Sequence, residues 1–230
     1  MNQKQFAHNL YTPLLLNRED TDAGRFYVLP DGTKAPSVTT VLGWEKKEGL
    51  IEWRKRVGEE EANRISTKAA NRGTKLHSII EDYLNNKQID FKSLDIGTID
   101  LFTSVKEYLD DIEEVYGIEV PLFSKHLGVA GTVDCVAKFR NKRFILDWKT
   151  SNRPKKIEWI DGYFMQTACY AVMYEECTGN PITNLGVLIA VDNDSPQFFQ
   201  QKRDRWIDKA INIINSYYDY HGLKRNGRTI

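Results

Sequence analysis

Residues 128–150, GVAGTVDCVAKFRNKRFILDWKT, limit the possible folds of this chain more than any other stretch. Apolar and polar residues alternate on both sides of Arg140-Asn141, the pattern of two strands joined by a tight turn. A tight turn sets the pairing, and the period of two then assigns each side chain to a face. Val133 falls opposite Trp148, Cys135 opposite Leu146 and Ala137 opposite Phe144, making a wholly apolar face. On the other face Thr132 meets Lys149, Asp134 meets Asp147 and Val136 meets Ile145. Asp134, Asp147 and Lys149 are therefore expected on the same side.

Carboxylates directly opposite on neighbouring strands have Cβ atoms roughly 5 Å apart. Like charges at that range repel unless something positive lies between them. Lys149 is one candidate and a hard divalent cation a better one, since magnesium takes oxygen ligands from carboxylates, water and substrate phosphate. An ordinary surface hairpin with an Asp–Lys pair of little energetic weight satisfies the same pattern. The hairpin alone does not decide between them.

Composition narrows the field. A chain of 230 residues suits one domain, and 41% hydrophobic residues with five Trp supply a core. Acidic and basic residues number 32 each, so any surface that grips phosphate must be local. No apolar run approaches the roughly 20 residues of a membrane span, and the polar start MNQKQFAHN is unlike a secretory signal. Cys135, Cys169 and Cys177 sit in apolar patterns without metal-type spacing, as expected of reduced core residues in a cytoplasmic protein.

Along the chain, the first 25 or so residues show no clear period, and Thr21-Asp22-Ala23-Gly24 reads as loop. RFYVLPDGTKAPSVT reads as a short hairpin turning at Pro30-Asp31-Gly32, and Ser37 as the N-cap of a helical turn. Residues 48–86 carry a helical pattern with Leu50, Trp53 and Val57 on one face, a new helix near Gly58-Glu59, and an interruption at Asn71-Arg72-Gly73-Thr74. His77 and Glu81, four apart, share a side of the last run, where a hydrogen-bonded surface histidine is the plain reading. Asp95 to Tyr116 is expected as a helix with Ile99, Phe102, Val105, Leu109 and Ile112 at core spacing, followed by the strand EVPLFSKHL headed by Glu119. After the hairpin come a basic loop (151–156), a helix to Cys177, a buried strand LGVLIAV, a short edge strand FFQQK and a closing helix from Arg203 to Tyr220. Three meandering strands and a crossover helix imply a mixed sheet with helices on both faces.

GTKLH (73–77), GTVD (131–134), DWK (147–149) and the pair Gln166/Tyr170 resemble, in order and spacing, the motifs of the PD-(D/E)XK nucleases in their RecB-like exonuclease branch. PSVTTVLG (36–43) followed by WRKRVG is similar to the leading segment of the mitochondrial members. The resemblance covers roughly residues 25–200. It implies an α/β, restriction-endonuclease-like core with a mixed central sheet flanked by helices, plus an N-terminal helical segment. The expected layout is one domain over 1–230: hairpin and helical wall at 25–90, nuclease core at 95–220, and a mobile tail at 221–230.

Carried over residue by residue, the resemblance implies that Asp134 and Asp147 are metal carboxylates and that the main-chain carbonyl of Trp148 is a further ligand. His77 would complete the metal site, and Glu119 matches an acid of the first core strand. Lys149 would orient the attacking water. Gln166 and Tyr170 would hold the DNA backbone or brace the lysine. Branch members with an iron–sulphur cluster use four cysteines, so three scattered ones imply none here. The helical wall carries Arg54, Arg72, Lys75 and Trp53, which could line a path for a single strand; Glu59, Glu60 and Glu61 dilute its charge, and a merely solvated face is the competing reading.

The expected activity is that of a Mg2+-dependent deoxyribonuclease, with Mn2+ able to substitute. It would act from the ends of single-stranded DNA in replication, recombination or repair, with no membrane partner, in the cytoplasm (the host's, if phage-encoded). A structure-selective flap or branch endonuclease and a non-catalytic DNA-binding module are the alternatives.

Overall fold

The computed structural model describes residues 3–223. Most of the expected mobile tail, 224–230, lies outside them. Among the described residues no helix is long and apolar enough to cross a membrane.

The chain opens with β1 (Ala7–His8) and a small antiparallel sheet of β2 (Asn17–Thr21), β3 (Gly24–Val28) and β4 (Lys34–Pro36). The Gly32 turn between β3 and β4 was expected. Strand β2, NREDT, was not, because a polar strand exposed along its length has no hydrophobic alternation to reveal it. Helix α1 (Val38–Gly43) begins where Ser37 accepts the Thr40 N–H at 3.0 Å, the expected cap.

Helices α2 (Lys47–Val57) and α3 (Glu59–Leu84) follow, hinged at Gly58 with φ 88°. The interruption expected at 71–74 is absent. α3 runs unbroken through Gly73, and nothing lies within 4 Å of where that residue's Cβ would stand. One glycine costs a helix about 1 kcal/mol, too little to break one docked by Leu76, Ile79, Ile80, Tyr83 and Leu84. Leu50, on the apolar face shared with Trp53 and Val57, is 53% exposed, and between Glu59 and Lys75 only Ala62 is buried. The hairpin of α2 and the first half of α3 thus stands clear of the core.

Helix α4 (Ile96–Asp110), capped by Asp95 accepting the Thr98 N–H, ends earlier than its sequence period indicates, and Ile112 opens a strand instead. Ile112 lies three residues after Leu109, so it fits a helical stripe and an alternating strand equally well. Pairing with Phe139 settles the choice.

The central sheet adds β5 (Ile112–Ser124), β6 (Val129–Phe139), β7 (Lys142–Ser151), β8 (Asn184–Val191) and β9 (Gln197–Lys202), in the order β1-β5-β6-β7-β8-β9. Arg140 and Asn141, at φ 47° and 63°, form the tight turn of the β6–β7 hairpin. Helix α5 (Asp161–Thr178) is the crossover that sets β8 parallel to β7, and it stops at Gly179 in the left-handed region. Helix α6 (Ile207–Tyr220) closes the chain. One face of the sheet packs on α1, α5 and α6, the other on α3 and α4. This is the mixed, helix-flanked sheet expected.

Candidate active site

The β6–β7 hairpin pairs as its turn dictates at Ala137↔Phe144, Val136↔Ile145 and Cys135↔Leu146, and there the ladder stops. The pairings expected beyond it, Asp134 with Asp147, Val133 with Trp148 and Thr132 with Lys149, do not form as ladder pairs. Past Cys135 the strands part: β6 continues with β5 to Val129, and β7 continues with β8 to Ser151. The alternation changes phase at the same place. Cys135 and Ala137 face α3 and α4, whereas Val133 joins the cluster under α5. The face expected to be wholly apolar is therefore split, with Trp148 and Val133 in different cores.

Asp134 occupies the crotch of this fork. Its Oδ2 accepts the Trp148 N–H at 2.8 Å, so a carboxylate satisfies a donor that the ladder leaves free. On the other arm, Asp147 is 1% exposed and its Oδ2 lies 2.5 Å from the Lys149 Nζ. That oxygen has no hydrogen bond of acceptable geometry besides this ion-pair contact. Glu119, opposite Asp134 on β5, has φ 47°, and the ladder skips the pair between Ile118↔Cys135 and Val120↔Val133. A non-glycine held there costs about 1 kcal/mol or more, and the twist aims the Glu119 carboxylate at the fork. α3 brings His77 up from below: its Nε2 is 2.9 Å from the Trp148 carbonyl, and its Nδ1 is 3.5 Å from Glu119 and 3.8 Å from Asp134.

Charges at the fork are tightly linked. Burial raises the pKa values of Asp134 and Asp147, against the pull of Lys149. Burial works to lower that of Lys149, but Asp147 and Asp134 outweigh it, so the ammonium persists. Burial likewise opposes a charge on His77, yet the Glu119 hydrogen bond and the Asp134 charge raise its pKa to about 9.

From the α5 side, Gln166 Nε2 donates to Asp147 Oδ1 at 3.2 Å and to the Tyr170 hydroxyl at 3.3 Å. The glycine of GTVD has a steric reason: a Cβ on Gly131 would stand 2.8 Å from Tyr170 Cε1. Thr132 lies 3.2 Å from the Tyr27 hydroxyl, tying the small sheet to the fork. The four short motifs thus meet at one place, each for a distinct structural reason.

Comparison with known proteins finds exonucleases among the sequence relatives. No family model matches the chain. It is 32% identical over 169 residues to mitochondrial genome maintenance exonuclease 1 of Xenopus tropicalis, a match covering 69% of this chain and 49% of that protein. To the protein of the same name from Homo sapiens it is 31% identical over 132 residues, 52% of this chain and 38% of that one. The matches thus span about half the length of these relatives or less. Among solved structures, a Eubacterium rectale protein assigned as an exonuclease superposes with a TM-score of 0.46 at 15% identity, over 70% of this chain and 69% of that one.

The sequence relatives, with the motifs gathered at the fork, support a place in the RecB-like PD-(D/E)XK exonuclease superfamily.

The donor set suits a divalent cation. Ligand atoms of His77, Glu119 and Asp134 all lie within 4.8 Å of one another, the Trp148 carbonyl borders the same space, and Asp147 Oδ2 lacks a good donor. Carboxylate and carbonyl oxygens with one imidazole are a combination that hard cations accept. Glu119, whose direction could not be read from sequence, is part of the cluster, and His77 turns to it rather than to Glu81. Tyr163, which belongs to none of the short motifs, has its ring centroid 5.3 Å from Lys149 Nζ.

On the helical wall, the cations that could line a strand's path are engaged. Arg54 is held by Glu59 and Asn63, Lys75 by Asp95 at 2.7 Å, and Arg72 by Asp192 and Asn152. Trp53 is half-buried. An open cleft of about 1360 Å³ between α3, α4 and the 191–196 turn includes Arg72 and Lys75 but also Asp95, Asp100, Asp192 and Asp194, and none of the fork carboxylates lines it. A cleft of mixed sign away from the fork is a poor match for a phosphate path.

Proposed function

We propose that this protein is a divalent-cation-dependent nuclease that hydrolyses phosphodiester bonds of DNA, acting as an exonuclease on single strands in replication, recombination or repair. The observation that carries the reading is the convergence of Asp134, Asp147, Glu119, His77 and Lys149 on one fork. The names of the relatives support the same activity.

The ion would be held by Asp134, Asp147, Glu119, His77 and the carbonyl of Trp148. When bound, Mg2+, or Mn2+ in its place, lowers the pKa of water and offsets charge on the phosphate. The chain supplies the remaining needs. Hydrolysis adds a water oxygen to phosphorus and releases an ester oxygen, so negative charge grows on the phosphate oxygens. Lys149 Nζ, held against Asp147, offers its hydrogens to one of those oxygens or to the attacking water. Gln166 fixes Asp147 from behind, and Tyr170 accepts from Gln166, so the carboxylate keeps its direction toward the ion and water it would hold.

End-labelled linear and circular single strands, incubated with Mg2+ or Mn2+ and with EDTA, test the proposal. Linear strands should be shortened only with the cation, circles should persist, and Lys149→Ala should slow the reaction at least 100-fold. Cleavage of circles would replace the exonuclease reading with an endonuclease one. Degradation in EDTA at the same rate would refute the metal site.

A further inference from the structure

We propose, resting on the nuclease reading above, that the loop 152–159 is a platform for single-stranded nucleic acid, on which Trp159 stacks a base while Arg153, Lys155 and Lys156 hold the adjoining phosphates. The loop joins the two elements that build the site: β7, which carries Asp147 and Lys149, and α5, which carries Tyr163 and Gln166. Trp159 is 56% exposed, with the Lys156 ammonium 5.6 Å from its ring centroid. A large aromatic ring left in solvent beside a cation is the combination single-strand binders use: stacking that tolerates any base, and charge that follows the backbone.

Two further observations separate this loop from ordinary surface. Its cations are unclaimed: Arg153, Lys155 and Lys156 have no acidic side chain paired with them among the described residues, whereas Arg54, Arg72 and Lys75 of the helical wall are all engaged. The loop is also fixed in place. Asn152 is held by Arg72. The Lys155 N–H donates to Gln197 Oε1 at 2.6 Å, and Gln197 Nε2 donates back to the Lys155 carbonyl at 3.0 Å. Ile160, 1% exposed, pins the far end in the core. Trp159 is thus held outward by its neighbours, and a pre-set ring loses little freedom on stacking.

Position completes the case. The Tyr163 N–H bonds the Ile160 carbonyl at 2.9 Å, so Trp159 stands about one helical turn before the tyrosine whose ring lies 5.3 Å from Lys149 Nζ. A base on Trp159 would therefore belong to a nucleotide passing the fork on its α5 side.

The test is anisotropy of a labelled oligothymidylate bound to the protein in EDTA, which reads binding without cleavage. Trp159→Ala should weaken binding about 5- to 150-fold, and Trp159→Tyr, which keeps a ring, should retain most of it. Replacing Arg153, Lys155 and Lys156 together with Ala should reduce the salt slope by about 0.7 for each phosphate no longer neutralised. With Mn2+ present, the Trp159→Ala loss should appear in KM more than in kcat. Unchanged oligonucleotide affinity in Trp159→Ala, or equal losses in the Ala and Tyr variants, would overturn the platform. Hydrolysis of thymidine 5′-(p-nitrophenyl phosphate) by the unaltered protein reads the catalytic centre separately. Its absence with either cation would sink the nuclease reading, while the binding arm would still decide the platform.

Discussion

If the fork holds a cation as proposed, a proton and that cation compete for His77, and the consequence can be measured without any substrate. Its pKa rises from 6.5 to about 9 because Glu119 and Asp134 outweigh the penalty of burial. A group whose folded pKa lies above its unfolded value contributes stability that is complete below pH 6.5 and is lost as pH climbs through 9. At 1.36 kcal/mol per unit the shift is worth about 3 kcal/mol; with the side chain 29% exposed, solvent screening reduces this to about 2 kcal/mol. For a chain of this size each kcal/mol moves the melting midpoint by roughly 2–4 °C. In EDTA, the midpoint followed by circular dichroism should therefore drop about 4–8 °C further between pH 6.5 and 9 in the native protein than in His77→Gln. Adding Mn2+ should reverse the pattern, because the imidazole binds a cation only after losing its proton and apparent affinity rises with pH. Parallel curves for the two proteins in EDTA would refute the claim that His77 is held charged by Glu119 and Asp134.

Three other outcomes follow from the geometry. Asp134→Asn keeps an oxygen to accept the Trp148 N–H and removes a buried negative charge, so it should fold with an equal or higher midpoint in EDTA yet lose at least 100-fold in cation-dependent hydrolysis; loss of the folded circular dichroism spectrum would contradict the assignment. Gly131→Ala drives a methyl to 2.8 Å from Tyr170 and should cost about 1–3 kcal/mol by calorimetry; a midpoint shift under about 1 °C would show that the tyrosine backs away freely. Burial pushes Cys169 up to about 12 and raises Cys135 as well, so a thiol reagent such as Ellman's should leave both unmodified in the native protein and react with all three cysteines only in denaturant; rapid native labelling of Cys135 would mean the fork side of the sheet opens.

Local rules carried the hairpin and failed beyond it. Two adjacent left-handed residues force a two-residue turn, and the turn alone sets Cys135 opposite Leu146. The end of the ladder could not be read the same way, because GTVD and DWK keep alternating after the strands have parted. The phase change at Asp134 depends on Glu119, fifteen positions away in sequence and across the sheet. The wall residues show the same limit. Arg72 and Lys75 read as free cations until Asp192 and Asp95, both distant in sequence, claim them. Helix α4 ended early for a tertiary reason too, since Ile112 suits either period until Phe139 pairs with it.

The fork itself has a physical origin in the acids it displays. Had β6 and β7 stayed paired, Asp134 and Asp147 would have stood roughly 5 Å apart at Cβ with nothing between them, in an interior where burial already disfavours their charge. Parting the strands at Cys135 leaves one main-chain donor, the Trp148 N–H, without its ladder partner. Asp134 satisfies it, which fixes the direction of the carboxylate. Parting also exposes the Trp148 carbonyl to His77, and it opens the space into which Glu119 turns at the cost of a left-handed backbone. Repulsion that would destabilise a continuous hairpin is thus converted into a gap lined by oxygens, with the Lys149 ammonium beside it. The irregularity that sequence periodicity could not reveal is therefore what brings the candidate ligand atoms of His77, Glu119 and Asp134 within 4.8 Å of one another.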